Sequence, residues 1–144
     1  MRQDYPHWQQ VPTRWKDNDV YGHMNNVVHY SLMDTVINEW LIRSGGLDIH
    51  DGDLIGLCVE SHCNYHASVG FPDTLAVGLR VGHLGRSSVR YEIGIHTEDR
   101  QTLVADGHFV HVFVDRATRG PKEVTGQLRT ALERLVLEVR PPAS

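Results

Sequence analysis

The sequence predicts an α+β domain in which one long helix is covered by a curved, mostly antiparallel five-stranded sheet, with a short second helix at the C-terminal end. Three observations carry this expectation. A single long stretch, Val28–Leu41, has helical period, with apolar residues at 28, 32, 33, 36, 37, 40 and 41. Several stretches after it alternate apolar and polar residues with period two. The turns between those stretches are short enough for hairpins, which antiparallel neighbours require. At 144 residues the chain has the size of one domain, with no internal repeat or linker, so residues 1–144 are read as a single unit.

In chain order, His7–Lys16 reads as a first strand, with Trp8, Val11 and Trp15 as its apolar weight and Pro12 indicating an edge position. The run DNDVYGHMNN that follows is rich in Asp, Gly and Asn and reads as a loop. The helix comes next, about 18 residues long, with Asn25 or Asn26 as N-cap and Gly45-Gly46 as the stop. His29, Ser31, Asp34, Asn38, Glu39 and Arg43 are expected on its polar face, where Glu39 and Arg43 form an i,i+4 pair. Leu54–Val69 reads as a long strand, Gly70–Asp73 as a turn, and Thr74–Leu84, Ser88–Thr97 and Thr102–Asp115 as three further strands. Thr125–Val136 has the spacing of a short amphipathic helix, and residues 141–144 read as a frayed tail.

Composition excludes some functions. The net charge is −4, with 14 basic and 18 acidic residues interspersed, so no basic stripe suits a nucleic-acid backbone. No apolar run approaches the roughly 20 residues of a membrane span, and MRQDYPHWQQ lacks the apolar core of a signal peptide. A cytoplasmic protein without membrane or nucleic-acid partners is expected. Cys58 and Cys63, five apart in one strand, are expected on opposite faces and as free thiols. Ten histidines are scattered without zinc spacing, so no metal site is expected. His62 and His66 would share a strand face, whereas His108 and His111 would point to opposite sides.

The stretch Asp17–Asn26 carries the chemistry. It sets a carboxylate, a glycine and two amide side chains before a helix start, where backbone N–H groups lack partners and the macrodipole is positive. Such donors stabilise an oxyanion, Gly22 permits close approach of a ligand to the backbone, and Asp19 can serve as base or nucleophile. From these residues alone, a plain turn followed by a capped helix is an equally open reading.

The run D-x-D-V-Y-G-H-M-N-N, followed by a helix and by E-x-x-x-x-Y from Glu60 to Tyr65, resembles the 4-hydroxybenzoyl-CoA thioesterase-like branch of the hotdog superfamily. The resemblance continues through G-F-P-D (Gly70–Asp73) and L-G-R-S-S (Leu84–Ser88) to about Asp115. It implies a hotdog fold and hydrolysis of an acyl-CoA thioester to a free acid and CoA. Asp19 would be the catalytic carboxylate, with Asp17 at the more variable first position. The thioester would lie against Gly22, His23, Met24, Asn25 and Asn26, and the CoA moiety against Arg86, Ser87 and Ser88. Tyr21, His29 and Glu60 are candidate pocket residues; at His29 many relatives have tyrosine. No cofactor is implied, since coenzyme A is part of the substrate, and homodimers or homotetramers are. Two alternatives stand beside this reading. One is a non-catalytic acyl-CoA-binding module. The other is an enoyl-CoA hydratase-type enzyme, disfavoured because its relatives resemble D-x-N-P-x-H, whereas His23 is four residues after Asp19 with no proline between.

Overall fold

The computed structural model describes residues 4–137. Five strands, β1 (His7–Pro12), β2 (Leu54–Tyr65), β3 (Thr74–Leu84), β4 (Ser88–Thr97) and β5 (Leu103–Asp115), form one antiparallel sheet in the order β1-β3-β4-β5-β2. Helix α1 (Asn26–Arg43) packs on one face, and the short α2 (Gly126–Glu133) closes the end of the core. Among the described residues no helix is long and apolar enough to cross a membrane.

Period-two alternation builds the core in rows across the sheet. Val77 pairs with Ile95 and Ile95 with Ala105; Leu79 with Ile93 and Ile93 with Gly107; Val81 with Tyr91 and Tyr91 with Phe109. Directly opposed residues share a face, and these rows meet Met33, Val36, Ile37 and Leu41 of α1 in one buried cluster. The opposite face is polar: Arg80 pairs with Glu92, Glu92 with His108 and His108 with His62. His108 and His111 thus do lie on opposite faces, His111 buried and hydrogen-bonded through Nδ1 to Tyr91 Oη at 3.1 Å.

Several boundaries depart from the sequence-based expectation. The first strand ends at Pro12, because Thr13 bonds to Asp73 O and residues Trp15–Asp17 form a 3-10 turn held by Arg14 and Asp17. The long strand ends at Tyr65, where the amides of His66 and Ala67 both turn onto Val104 O, so His66 does not share a strand face with His62. Instead, His66 Nε2 lies 2.8 Å from Asp106 Oδ1. A bulge between Cys58 and Glu60 shifts the register by one. Cys58 therefore opposes His111 and Cys63 opposes Gly107, four apart on β5, so both cysteines face α1 rather than opposite sides. Both are free, Cys58 exposed and Cys63 buried. α2 is shorter than Thr125–Val136, and residues 141–144 lie outside the described residues.

Helix α1 has the expected length, with Asn25 as its N-cap. Arg43 Nε meets Glu39 Oε1 at 2.9 Å, and Gly46, at φ 68°, takes the left-handed conformation that ends it. One helix residue contradicts the expected faces: His29 is buried, 4% exposed, one turn before Met33 on the core stripe. It can be buried because its ring lies edge-on to Tyr65 and its Nδ1 reaches Asn26 O.

Candidate active site

The loop before α1 separates its two carboxylates. Asp17 is 2% exposed, and its carboxylate receives Arg14 N at 2.8 Å and Arg14 Nη2 at 2.9 Å, while its carbonyl receives Asn25 N at 2.8 Å. Burial pulls the Asp17 carboxyl upward, but the Arg14 hydrogen bonds and charge outweigh this and hold it below the usual carboxylate range. Asp17 is thus engaged in fixing the loop. Asp19 is differently placed. Its backbone N donates to His23 O at 2.8 Å, closing a small loop in which Gly22 takes φ 82°. Its Oδ1 accepts the amides of Tyr21 at 2.9 Å and His23 at 3.3 Å, an Asx turn that orients the carboxylate. Oδ2 has no hydrogen bond within the described residues.

The loop is fastened to the segment after β2. Asn18 Oδ1 accepts Phe71 N at 2.9 Å, and Met24 N donates to Val69 O at 2.7 Å. A Cβ on Gly70 would come within 2.8 Å of Gly22 O and 3.1 Å of Asn18 Oδ1, so only glycine lets the two segments approach this closely.

The start of α1 has one donor to spare. Asn25 Oδ1 caps Val27 N at 3.1 Å, Val28 N donates to Asn25 O, and Asn25 N and Met24 N are already bonded. The Asn26 amide has no acceptor among the described residues. Asn26 borders a cleft of about 330 Å³ between the first turn of α1 and residues 65–69, lined also by Met24, His29, Tyr65, Ser68 and Val69 among others. Tyr65 Oη donates to Asn26 O at 2.9 Å, and the His29 ring stands 4.8 Å from the Tyr65 ring at 88°. Burial lowers the His29 pKa, the nearby carbonyls of Asn26 and Asn25 only partly offsetting it, so the ring is neutral at neutral pH. Among the described residues no three His, Cys, Asp or Glu side chains form a metal-holding group.

Of the residues singled out from sequence, Met24, Asn26 and His29 line the cleft. Asn25 caps its helix, and Asp19, Gly22 and His23 form the loop leading to it. Tyr21 is 81% exposed beside that loop. Glu60 lies on the polar face of the sheet, away from α1, bonded to His108 at 2.8 Å. Arg86, Ser87 and Ser88 form the β3–β4 hairpin, at the opposite end of the sheet from the α1 N-terminus, where Arg86 lies 3.6 Å from Glu123 and Arg129 reaches Gly85 O. One chain therefore does not bring the hairpin to Asp19. Asn18, Tyr65 and Gly70 were not singled out as site residues; Gly70 before Phe-Pro was visible only as a turn.

Comparison with known proteins agrees with this architecture. The thioesterase superfamily model matches residues 21–104, which include most of the loop, all of α1, and β2 through β4. No curated protein sequence matches the chain. Among solved structures, the PA5185 protein of Pseudomonas aeruginosa is 47% identical, with a TM-score of 0.92 over 96% of this chain and 97% of that one. Slr0204, a 1,4-dihydroxy-2-naphthoyl-CoA thioesterase from Synechocystis, shares the fold at 18% identity, with a TM-score of 0.78 over 87% and 93%. BH1999, a gentisyl-coenzyme A thioesterase, does so at 19% identity, with a TM-score of 0.76 over 88% and 99%. With its long helix under a five-stranded antiparallel sheet and its family match over more than half its length, the chain belongs to the thioesterase superfamily and has the hotdog fold.

Proposed function

We propose that the protein hydrolyses an acyl-CoA thioester, with Asp19 as general base or nucleophile and the Asn26 amide as oxyanion donor. The observation that carries this reading is the pairing of a carboxylate with one free oxygen and a helix-start amide with no acceptor, joined by a loop anchored at both ends. The thioester carbonyl oxygen accepts from Asn26 N–H. Asp19 Oδ2 takes a proton from water as its oxygen adds to the carbonyl carbon, or adds to that carbon itself. The C–S bond then breaks and the coenzyme A thiolate leaves as the thiol. In the general-base route it takes the proton held by Asp19; in the nucleophilic route it takes one from solvent, and water cleaves the acyl-aspartyl anhydride to the free acid and restores Asp19. A well-placed oxyanion donor is worth about 2.7–4 kcal/mol.

The active unit in this reading is a dimer formed along β2. That strand is 12 residues long, pairs on one side only among the described residues, and exposes Leu57, Val59 and Tyr65. A bare edge of this length invites a second copy. Antiparallel pairing of β2 with its copy sets residue 54 of one chain toward residue 65 of the other. The partner subunit's Arg86, Ser87 and Ser88 then lie at the Asp19 end of the sheet, three strand spacings of about 4.8 Å, or roughly 14 Å, from β2. The pantetheine and phosphates of coenzyme A bridge that gap, with Arg86 on a phosphate.

A panel of acyl-CoA thioesters with a free-thiol readout tests the reading. Release of coenzyme A that depends on Asp19 is expected. Tight binding of acyl-CoA with no thiol release at any chain length would instead identify a binding module.

A further inference from the structure

The His29 ring carries a chemical capacity that the hydrolytic step does not use. Its Nδ1 lies 3.3 Å from Asn26 O, and a carbonyl can only accept, so the ring hydrogen sits on Nδ1. Nε2 is then a bare acceptor. It has no hydrogen-bond partner among the described residues, although His29 is only 4% exposed. Among the described residues the fully enclosed, unpartnered side-chain nitrogen is His96 Nε2, so His29 Nε2 keeps some exposed surface, and the residue lines the cleft. Elsewhere the wall mixes Asn26, His66 and Ser68 with the apolar surfaces of Met24, Ala67, Val69 and the Tyr65 ring. A buried acceptor in such a wall favours a ligand that brings a donor, because an acyl group without one strips the nitrogen of water and returns nothing.

We propose that His29 is a specificity residue whose Nε2 accepts a hydrogen bond from a hydroxyl group on the acyl chain, so that the preferred substrates are short 3-hydroxyacyl thioesters. The position of the hydroxyl follows from the helix. Residues 26 and 29 are separated by a rise of about 4.5 Å, and helix side chains lean toward the N-terminus. The Nδ1 contact with Asn26 O accordingly holds the ring against the first turn, on the residue whose amide is the proposed oxyanion donor. A hydroxyl that reaches Nε2 while the carbonyl sits on Asn26 N–H is close to that carbonyl, not at the far end of a ring or long chain. Burial keeps the ring neutral and its acceptor available.

This assignment rests on the thioesterase reading, and its test keeps the two apart. Butanoyl-CoA and 3-hydroxybutanoyl-CoA are compared by thiol release with the native protein, His29→Phe and His29→Gln. The native protein should prefer the hydroxylated thioester at least about tenfold in kcat/KM, since sites built around a substrate hydroxyl reject its absence strongly. His29→Phe, which retains a ring without an acceptor, should bring the ratio to within about twofold of unity, and His29→Gln, which keeps a side-chain acceptor, should restore part of the preference. A native ratio near one overturns the proposal, as does a ratio that survives in His29→Phe. A hydroxyl preference seen only for 4-hydroxybenzoyl-CoA over benzoyl-CoA also overturns it, because that hydroxyl is remote from the carbonyl. Should His29→Phe fail to fold, the native ratio and His29→Gln decide. Calorimetric titration of both butanoyl thioesters into Asp19→Asn is the second readout. Hydroxyl-dependent affinity without thiol release in the native protein supports His29 and sinks hydrolysis. Thiol release blind to the hydroxyl does the reverse.

Discussion

Replacing Asp17 and Asp19 separately by asparagine divides structural from chemical roles within three residues. Asp17 accepts from Arg14 N, Nε and Nη2 at 2.8, 3.2 and 2.9 Å while 2% exposed. Hydrogen bonds involving a charged group contribute about 1.5–3 kcal/mol, and an asparagine amide would turn its own donors toward the guanidinium. Because the Arg14 side chain is 60% exposed, screening trims this, and a loss of about 2 kcal/mol is expected. At roughly 2–4 °C per kcal/mol, the unfolding midpoint of Asp17→Asn should fall by about 4–8 °C. The Asp17 pKa is depressed in the folded state, so its contribution is full above the unfolded value of about 3.9 and is lost as pH falls through the folded value. The gap between native protein and Asp17→Asn should accordingly narrow below about pH 4. Asp19→Asn keeps an oxygen for the Tyr21 and His23 amides and should change stability by no more than about 0.5 kcal/mol. Its turnover should fall by about 10²–10⁴-fold, or roughly 2.7–5.5 kcal/mol of barrier. Differential scanning calorimetry and thiol release on the two variants check both halves. Wild-type turnover in Asp19→Asn, or an unchanged midpoint in Asp17→Asn, refutes the reasoning.

Gly70→Ala should force the Asp19 loop away from residues 69–71, since the new Cβ meets Gly22 O at 2.8 Å; a loss of about 1–3 kcal/mol is expected, with kcat falling more than substrate affinity, measured by calorimetry and steady-state kinetics. Burial lowers the pKa values of His29, His96 and His111, so the unfolded chain gains protons that the folded chain refuses as pH drops below about 6.5. The unfolding midpoint should fall from pH 7 to pH 5, and it should fall less in His96→Leu, which removes the enclosed, unpartnered Nε2. Lysine at both Leu57 and Val59 should charge the open edge of β2, giving a monomer by sedimentation and abolishing thiol release if the dimer is the active unit.

Local patterns made much of the fold legible. The Val28–Leu41 periodicity located α1, the Asn25 cap and Gly46 stop bounded it, and β3 and β4 begin and end where their alternation does. Pro12 points to an edge, and among the described residues β1 pairs only with β3. Non-local contacts decided the remainder. The bulge at Val59 arises from pairing with β5 and reverses the face of every residue before it, which no count along β2 alone could show. His29 looked polar because imidazole usually is; Tyr65, 36 residues away in sequence, makes its burial possible.

The candidate site divides in the same way. By itself the sequence determined that a carboxylate-rich loop with glycine precedes an amide-capped helix, since loop composition, caps and helical period are short-range properties. It could not separate Asp17 from Asp19 except through resemblance, because the two differ in what reaches them rather than in what they are. The folded conformation of the loop drew that distinction: Arg14, three residues earlier, turns back to occupy Asp17, while the Asx turn leaves one oxygen of Asp19 open. Tertiary structure left the Asn26 amide free by spending its neighbours on Asp17 and Val69, and it set the Arg86 hairpin at the far end of the sheet. Which donors and acceptors remain unpaired depends on every segment that comes near them, and only the folded chain brings those segments together.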